Sequence, residues 1–183
     1  MRALTYYIGT TIDGYIAGPG GETDLFPLEE DVLGHIAAEY PETLPTHARA
    51  QLGLDAPNRH FDTVVMGRAT YQPALDLGIE RPYAHLEQYV VSTTLEHGVA
   101  DPLPLVRELK SGDGLGIWLC GGARLATALL PEIDELVIKQ YPVVAGAGIP
   151  LFAGGYAPLP FALTGAKTFG SGAAILTYAR ARA

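Results

Sequence analysis

The sequence holds one cysteine, Cys120, among 183 residues. A lone thiol closes no internal disulfide and builds no zinc cluster. Set in an apolar run, Cys120 reads as a small buried hydrophobe. Basic residues are also scarce, with 12 Lys and Arg against 20 Asp and Glu and a net charge of −8. A nucleic-acid surface needs clustered cations, so this balance argues against one. It leaves an anionic small molecule open, because a few local guanidinium groups can hold a phosphate. No run approaches the length of a membrane span. The start, Met1 to Ile8, reads as a first strand and lacks the pattern of a signal peptide. The expectation is a cytoplasmic protein with no membrane partner. Repeats, charge blocks and linkers are lacking too. The five histidines have no metal-ligand spacing, so no metal is assigned.

Hydrophobic residues make up 48% and charged residues 17%. That composition belongs to a globular chain able to bury a core, here expected as one domain over 1–183. Residues 3–12 read as a strand, and Asp13-Gly14 as a turn. Tyr15-Ile16-Ala17 is a short apolar patch before a Gly-Pro-Gly-Gly loop. A helical pattern from Leu28 to Tyr40 puts Val32, Leu33, Ile36 and Tyr40 on one face, with Glu29 on that same face. Residues 41–60 look irregular, with one helical turn. Strands follow at 63–66, 89–92, 117–120 and 135–141. Helices are expected at 68–77, 104–110 and after Gly122. The tail from Phe161 to Arg180 reads as two strands joined around Gly170-Ser171-Gly172. Strands alternating with helices early, then a hairpin, predict an α/β fold. Its sheet is mostly parallel with an antiparallel C-terminal edge.

Three expected strands end suggestively. Strand 63–66 runs into Gly67-Arg68-Ala69-Thr70, strand 89–92 into Thr93-Thr94, and strand 117–120 into Gly121-Gly122-Ala123-Arg124. Ligands of parallel sheets bind outside the carboxyl ends of the strands. These three ends offer N–H groups, hydroxyls and two guanidinium forks, which suit a phosphorylated ligand. The Gly121-Gly122 pair by itself is equally a tight connection without a ligand.

The chain resembles the dihydrofolate reductase superfamily, and more narrowly the bacterial branch related to the reductase domain of riboflavin biosynthesis. The resemblance rests on Thr11-Ile12-Asp13-Gly14-Tyr15-Ile16-Ala17, Asp62 to Tyr71, Tyr89-Val90-Val91-Ser92, Trp118 to Leu125, Ile133-Asp134-Glu135-Leu136 and Pro142 to Phe152, in that order. It implies a three-layer sandwich and NADPH laid across the strand ends. By the resemblance, Gly67, Arg68 and Thr70 hold phosphates. Gly121, Gly122, Ala123, Arg124 and Leu125 cradle the pyrophosphate, with a cis bond between the two glycines. Ser92 and Thr93 border the ribose. Ile16 and Ala17, on a mobile loop, cover the nicotinamide. It further implies a homodimer through 161–180, where Phe161, Leu163, Phe169, Ile175, Leu176 and Tyr178 exceed what one hairpin face buries.

For the substrate, the folate-reductase positions for the pocket carboxylate, the tail-gripping Arg and a strand Thr match Glu29, Leu86 and Lys139. Losing the Arg removes a bidentate carboxylate partner, so folate is expected to be a poor substrate. A pterin or a 5-amino-6-(ribosylamino)uracil-type pyrimidine is the expected class, or another small heterocycle or carbonyl. Lys139 either meets a substrate phosphate or carboxylate, or emerges into solvent. A buried carboxyl with a raised pKa could supply the proton. Glu29 and Asp24 are the candidates, and each also reads as a helix N-terminal acid favoured by the dipole. The competing reading is a nucleotide-binding or regulatory module without turnover.

Overall fold

The computed structural model describes residues 1–181; residues 182 and 183, the end of the expected domain, lie outside the described residues. The chain runs through β1 (Leu4–Thr10), β2 (Tyr15–Ala17), α1 (Glu30–Glu39), α2 (Thr46–Gln51), β3 (Phe61–Gly67), α3 (Arg68–Asp76), β4 (Glu87–Val91), α4 (Pro102–Ser111), β5 (Gly116–Leu119), α5 (Ala123–Ala128), β6 (Glu135–Gln140), β7 (Ile149–Pro150), β8 (Phe161–Thr168) and β9 (Ala174–Arg180). Seven strands form one sheet in the order β4-β3-β5-β1-β6-β9-β8. The first five are parallel, and β9 and β8 close the sheet as an antiparallel edge. The expected mostly parallel α/β sheet with a C-terminal hairpin is the observed one. No helix among the described residues is long and apolar enough to cross a membrane.

Side chains alternate across the sheet, so each parallel strand feeds two cores. Leu4, Tyr6, Val65, Ile117, Leu119 and Leu136 pack with Val106 of α4 and Leu125 of α5 on one side. Tyr7, Val64, Met66, Trp118 and Val137 pack with Tyr71 of α3 on the other. Val32 and Ile36 seat α1 against Tyr141 and Ala173. These are the three layers.

Several helix boundaries have local causes. Asp101 caps α4 by accepting from Leu103 N at 3.1 Å, and Pro102 occupies the first helical position, where no N–H is needed. The β-strand edges at the amino end of the sheet are held by Asp134. Its Oδ2 accepts from Leu4 N at 2.8 Å and from Lys110 Nζ at 2.7 Å, while its backbone O accepts from Arg180 N at 2.8 Å.

Two elements depart from expectation. Ile16 and Ala17 belong to β2, which pairs antiparallel with β7, and both are buried. They therefore lie in a paired strand ahead of the Gly-Pro-Gly-Gly loop. The partner backbone explains it: a Cβ on Gly148 would lie 2.2 Å from Ala17 O, so a glycine lets the two backbones meet. The Gly-Pro-Gly-Gly loop itself is folded back, with Gly18 N donating to Glu22 O at 2.8 Å and Gly20 N to the Glu22 carboxylate at 2.9 Å. In the irregular stretch, Pro41–Thr43 forms a 3-10 turn that buries Glu42 completely. Its Oε1 accepts from His60 N at 2.6 Å and Phe61 N at 2.9 Å, capping the start of β3.

Candidate functional site

The carboxyl ends of β3, β4 and β5 come together at one edge of the sheet. Gly67 pairs with Val91, the residue before Ser92. Val65 pairs with Leu119, and Cys120 N donates to Val65 O at 2.9 Å. Gly67 N then reaches Gly121 O at 3.3 Å. The peptide bond between Gly121 and Gly122 is cis. Gly121 has φ +110, a region that L side chains rarely adopt, so this position requires glycine. A Cβ on Gly121 would touch Ile8 Cδ1 at 3.4 Å, and one on either glycine would stand 3.8 Å from Thr70 Oγ1. Thr70 therefore faces the glycine pair from α3, and Leu125 packs under Gly67 from α5.

Residue by residue, the expected cofactor set divides. Gly67, Thr70, Gly121 and Gly122 meet as just described, with Leu125 beneath Gly67 and Ala123 buried at the start of α5. Arg68 is half-buried at the start of α3 and donates to the Gln72 side chain. Arg124 is exposed in the first turn of α5. The two guanidinium groups are the only formal charges within 67–70, 92–94 and 121–125, so this edge is cationic in an acidic protein. Thr93 is exposed, but the Ser92 hydroxyl is buried and occupied: its Oγ accepts from Thr94 N at 3.1 Å and Leu95 N at 3.2 Å. Ser92 thus shapes its own turn, which a glycine supports from behind. A Cβ on Gly98 would meet Ser92 O at 2.5 Å. Ile16 and Ala17 sit on β2, as described.

The two catalytic candidates lie at the surface. Glu29 and Asp24 are both exposed, and Glu29 makes no cap hydrogen bond at the start of α1. A proton donor tuned by burial needs an enclosed carboxyl, and neither residue is enclosed. Asp13 is a turn former: it accepts from the Thr11 hydroxyl at 2.6 Å, Ala145 N at 3.1 Å and Gly146 N at 2.7 Å. Leu86 is buried in the core beside β4.

Lys139 lies elsewhere than open solvent. It stands near the carboxyl end of β6, paired with Gly9 on β1 and Ile175 on β9. Its Nζ sits 4.3 Å from the centre of the Tyr7 ring. Burial lowers its pKa to about 8, with Cys120 acting weakly in the opposite direction. Cys120 itself is half-buried, and burial pushes its thiol up to about 12, so it is a neutral neighbour. The thiol is paired with Tyr83, whose hydroxyl burial likewise holds in its neutral form. Gly9 lets the rings of Tyr141 and Phe26 close over β1 beside Lys139: a Cβ there would stand 3.3 Å from Tyr141 and 3.8 Å from Phe26. Tyr7 Oη is buried without a hydrogen-bond partner. Sequence reasoning missed Gly9, Tyr83 and Cys120 as the surroundings of Lys139. The one available signal was a glycine inside an apolar strand, which often marks a close approach.

Comparison with known proteins agrees with this architecture. Two curated relatives come from Bacillus subtilis (strain 168): uncharacterized protein YwjB, 30% identical with 98% of this chain and 99% of the relative covered, and uncharacterized protein YyaP, 25% identical with 97% and 95% covered. Among solved structures, a protein from Shewanella sp. PV-4 provisionally named for riboflavin biosynthesis superposes with TM-score 0.70 at 24% identity, over 99% of this chain and all 100% of that one. A diaminohydroxyphosphoribosylaminopyrimidine deaminase/5-amino-6-(5-phosphoribosylamino)uracil reductase from Thermotoga maritima superposes with TM-score 0.63 at 13% identity, over 98% of this chain and 57% of that longer one. The RibD C-terminal domain family matches residues 2–175. With the sheet order, the hairpin edge and the glycine cradle in place, the chain belongs to the RibD C-terminal domain family.

Proposed function

We propose that this protein is a reductase that binds NADPH across the ends of β3, β4 and β5 and reduces a small heterocyclic or carbonyl substrate held between β1, β6 and α1. The observation that carries this reading is the Gly121-Gly122 cradle faced by Gly67 and Thr70. Only Thr70 Oγ1, 3.8 Å from where a Cβ of either glycine would stand, and Ile8 approach the pair, and the first turn of α5 that follows has N–H groups with no helical partner. Backbone amides of this kind, together with two nearby guanidinium groups, suit a pyrophosphate. Arg68 is the candidate partner of the extra phosphate that separates NADPH from NADH, because a guanidinium fork matches phosphate oxygens. When bound, the dinucleotide supplies a hydride to an electrophilic carbon. Lys139, over the Tyr7 ring near the carboxyl end of β6, is the candidate partner of a substrate phosphate or carboxylate. The name of the Thermotoga maritima neighbour makes an aminouracil-type pyrimidine one candidate for the substrate, and a pterin is the other.

Titration of Trp118 and tyrosine fluorescence with NADPH tests the cofactor half. Saturable binding with a dissociation constant on the order of micromolar is expected. Arg68→Ala is expected to weaken NADPH more than NADH. Equal losses would remove Arg68 from the extra phosphate, and absence of binding would overturn the reading and favour a scaffold without turnover.

A further inference from the structure

Resting on the reading of Arg68 as the partner of the extra phosphate, we propose that Gln72 is the positioning residue that sets the preference for NADPH over NADH. It holds the Arg68 guanidinium beside the end of β4 and leaves its charge free for the phosphate. Three observations carry this. The first is a chain of contacts along α3. Arg68 donates to Gln72 Oε1, one helical turn further on. Gln72 Nε2 donates in turn to Asp76 Oδ1, after another turn. The Asp76 carboxylate accepts only from the NH₂ end of the amide, so the oxygen end is the one that faces the guanidinium.

The second is place. Thr70 faces the Gly121-Gly122 pair from α3. Arg68 lies about 200° around the helix from Thr70, on the side away from the glycines. The sheet order is β4-β3-β5, so the side away from β5 is the β4 side. Gly67 and Val91 are register partners, which puts Arg68 next to Ser92 at the ends of β3 and β4. Arg68 is the only charged residue within 67–70 and 91–94. The Ser92 hydroxyl is taken up by its own turn. Arg68 therefore serves a phosphate on the ribose side of the ligand, apart from the pyrophosphate cradle.

The third is that the anchor is neutral. Arg2, Arg59 and Arg107 each meet a carboxylate, of Asp62, Glu39 and Glu132. Arg49, Arg81 and Arg180 donate to backbone carbonyl oxygens. Arg68 alone among these donates to a carboxamide. Gln72 occupies one N–H of the fork and cancels no charge, so the remaining donors face a phosphate at full strength. The long side chain is also held in place before the ligand arrives, which lowers the ordering needed on binding. A glutamate at position 72 would hold the guanidinium equally well but as an i, i+4 ion pair. The amide thus keeps Arg68 ordered without neutralising it.

The test titrates the full chain with NADPH and with NADH at one low ionic strength, since salt screens exposed charges. The readout is the ratio of the two dissociation constants, which general damage to the fold leaves unmoved. Gln72→Met keeps the length and loses the acceptor, and should cut the NADPH preference by about fivefold, as expected for one side chain that must now be ordered on binding. Gln72→Glu should cut it by about tenfold or more, because the charge-assisted bonds to the phosphate are weakened as well. Both should keep NADH affinity within about twofold of the wild type. In the Arg68→Ala background, Gln72→Met should leave the ratio unchanged. Equal losses for the two cofactors, or a ratio unmoved by both variants, would overturn the proposal. So would a Gln72→Met effect that persists in the Arg68→Ala background, since Gln72 would then act without the guanidinium. A wild type that binds the two cofactors equally, or a ratio that Arg68→Ala leaves unchanged, would remove Arg68 from the extra phosphate and the role of Gln72 with it, while the dinucleotide reading stood. Failure to bind either cofactor would overturn both.

Discussion

Asp13 and Gly146 are joined carboxylate to amide: Asp13 Oδ2 accepts from Gly146 N at 2.7 Å, and Oδ1 from Ala145 N at 3.1 Å. The turn after β1 is thereby fastened to the loop between β6 and β7. The Thr11 hydroxyl first, and then the two loop amides, hold the Asp13 carboxyl down at about 2. A carboxyl depressed on folding contributes stability that is complete above its ordinary value of 3.8 and is lost as pH falls through about 2. Exchange of the Ala145 and Gly146 amides is expected to be slow and constant from pH 7 to 5 after correction for intrinsic rates, and to lose protection between about 4 and 2. Asp13→Asn has one acceptor oxygen in place of two and should lose protection at one of these amides already at pH 7. Unchanged protection at both would show that the fastening lies elsewhere.

Gly148 gives a steric prediction. The Cβ introduced by Gly148→Ala would stand 2.2 Å from the backbone oxygen of Ala17, which has no flexible end to move aside. Overpacking of this kind typically costs about 1–3 kcal/mol, here concentrated on the β2–β7 pair. The urea midpoint should fall accordingly, and NADPH affinity with it, since Ile16 and Ala17 are displaced together. A variant as stable as the wild type would mean that β2 and β7 separate at little cost.

A buried carboxylate gives the third. Glu42 is fully buried, with Oε1 taking two backbone N–H groups and Oε2 taking none. Glu42→Ala strands both donors, at about 1–3 kcal/mol each. Glu42→Gln retains an oxygen for them. Equilibrium unfolding should rank wild type and Glu42→Gln close together and Glu42→Ala well below. Equal stability of all three would make the carboxylate incidental to the start of β3.

The hairpin carries a prediction about assembly. Of the six apolar side chains that suggested a dimer, Ile175 is buried in a core, and Phe161, Phe169, Leu176 and Tyr178 pack against cores. Leu163 alone among them is largely exposed, at 57%. What remains is β8 itself, an eight-residue edge strand exposed on both faces and carrying Lys167 as its one charge. Unpaired strand edges recruit other strands, and a second copy offers the matching edge by two-fold symmetry. Light scattering at high micromolar concentration should give twice the 19.4 kDa chain mass, and Leu163→Glu should return it toward one. A single-chain mass for the wild type would remove the dimer.

The strands and most helices were legible because their signals are local. Val64-Val65-Met66 and Ile117-Trp118-Leu119 are apolar runs closed by glycine, and Val32 and Ile36 repeat at helical spacing. The strand pairing of Ile16 and Ala17 was not legible, because β2 and β7 are only three and two residues long and their contact depends on Gly148 far along the chain. Glu42 was hidden in a segment rich in Pro and His, where nothing nearby announces burial. Ser92 was legible as a strand end, but its hydroxyl serves its own turn. The setting of Lys139 was the least accessible. It needs Tyr7, Gly9, Cys120 and Tyr83 at once, contributed by three separate parts of the chain.

Asp134, at the opposite end of the sheet, decides which side chain occupies that setting. It binds the start of β1 through Leu4 N, the end of β9 through Arg180 N, and α4 through Lys110. Five residues on, about 17 Å at roughly 3.3 Å per residue, the strand delivers Lys139 to the Tyr7 ring. A slip of one position would bring Ile138 or Gln140 there and turn the ammonium to the other core. The identity of the residue over the Tyr7 ring is thus an indexing decision made at the far end of β6, by a residue that never approaches that ring.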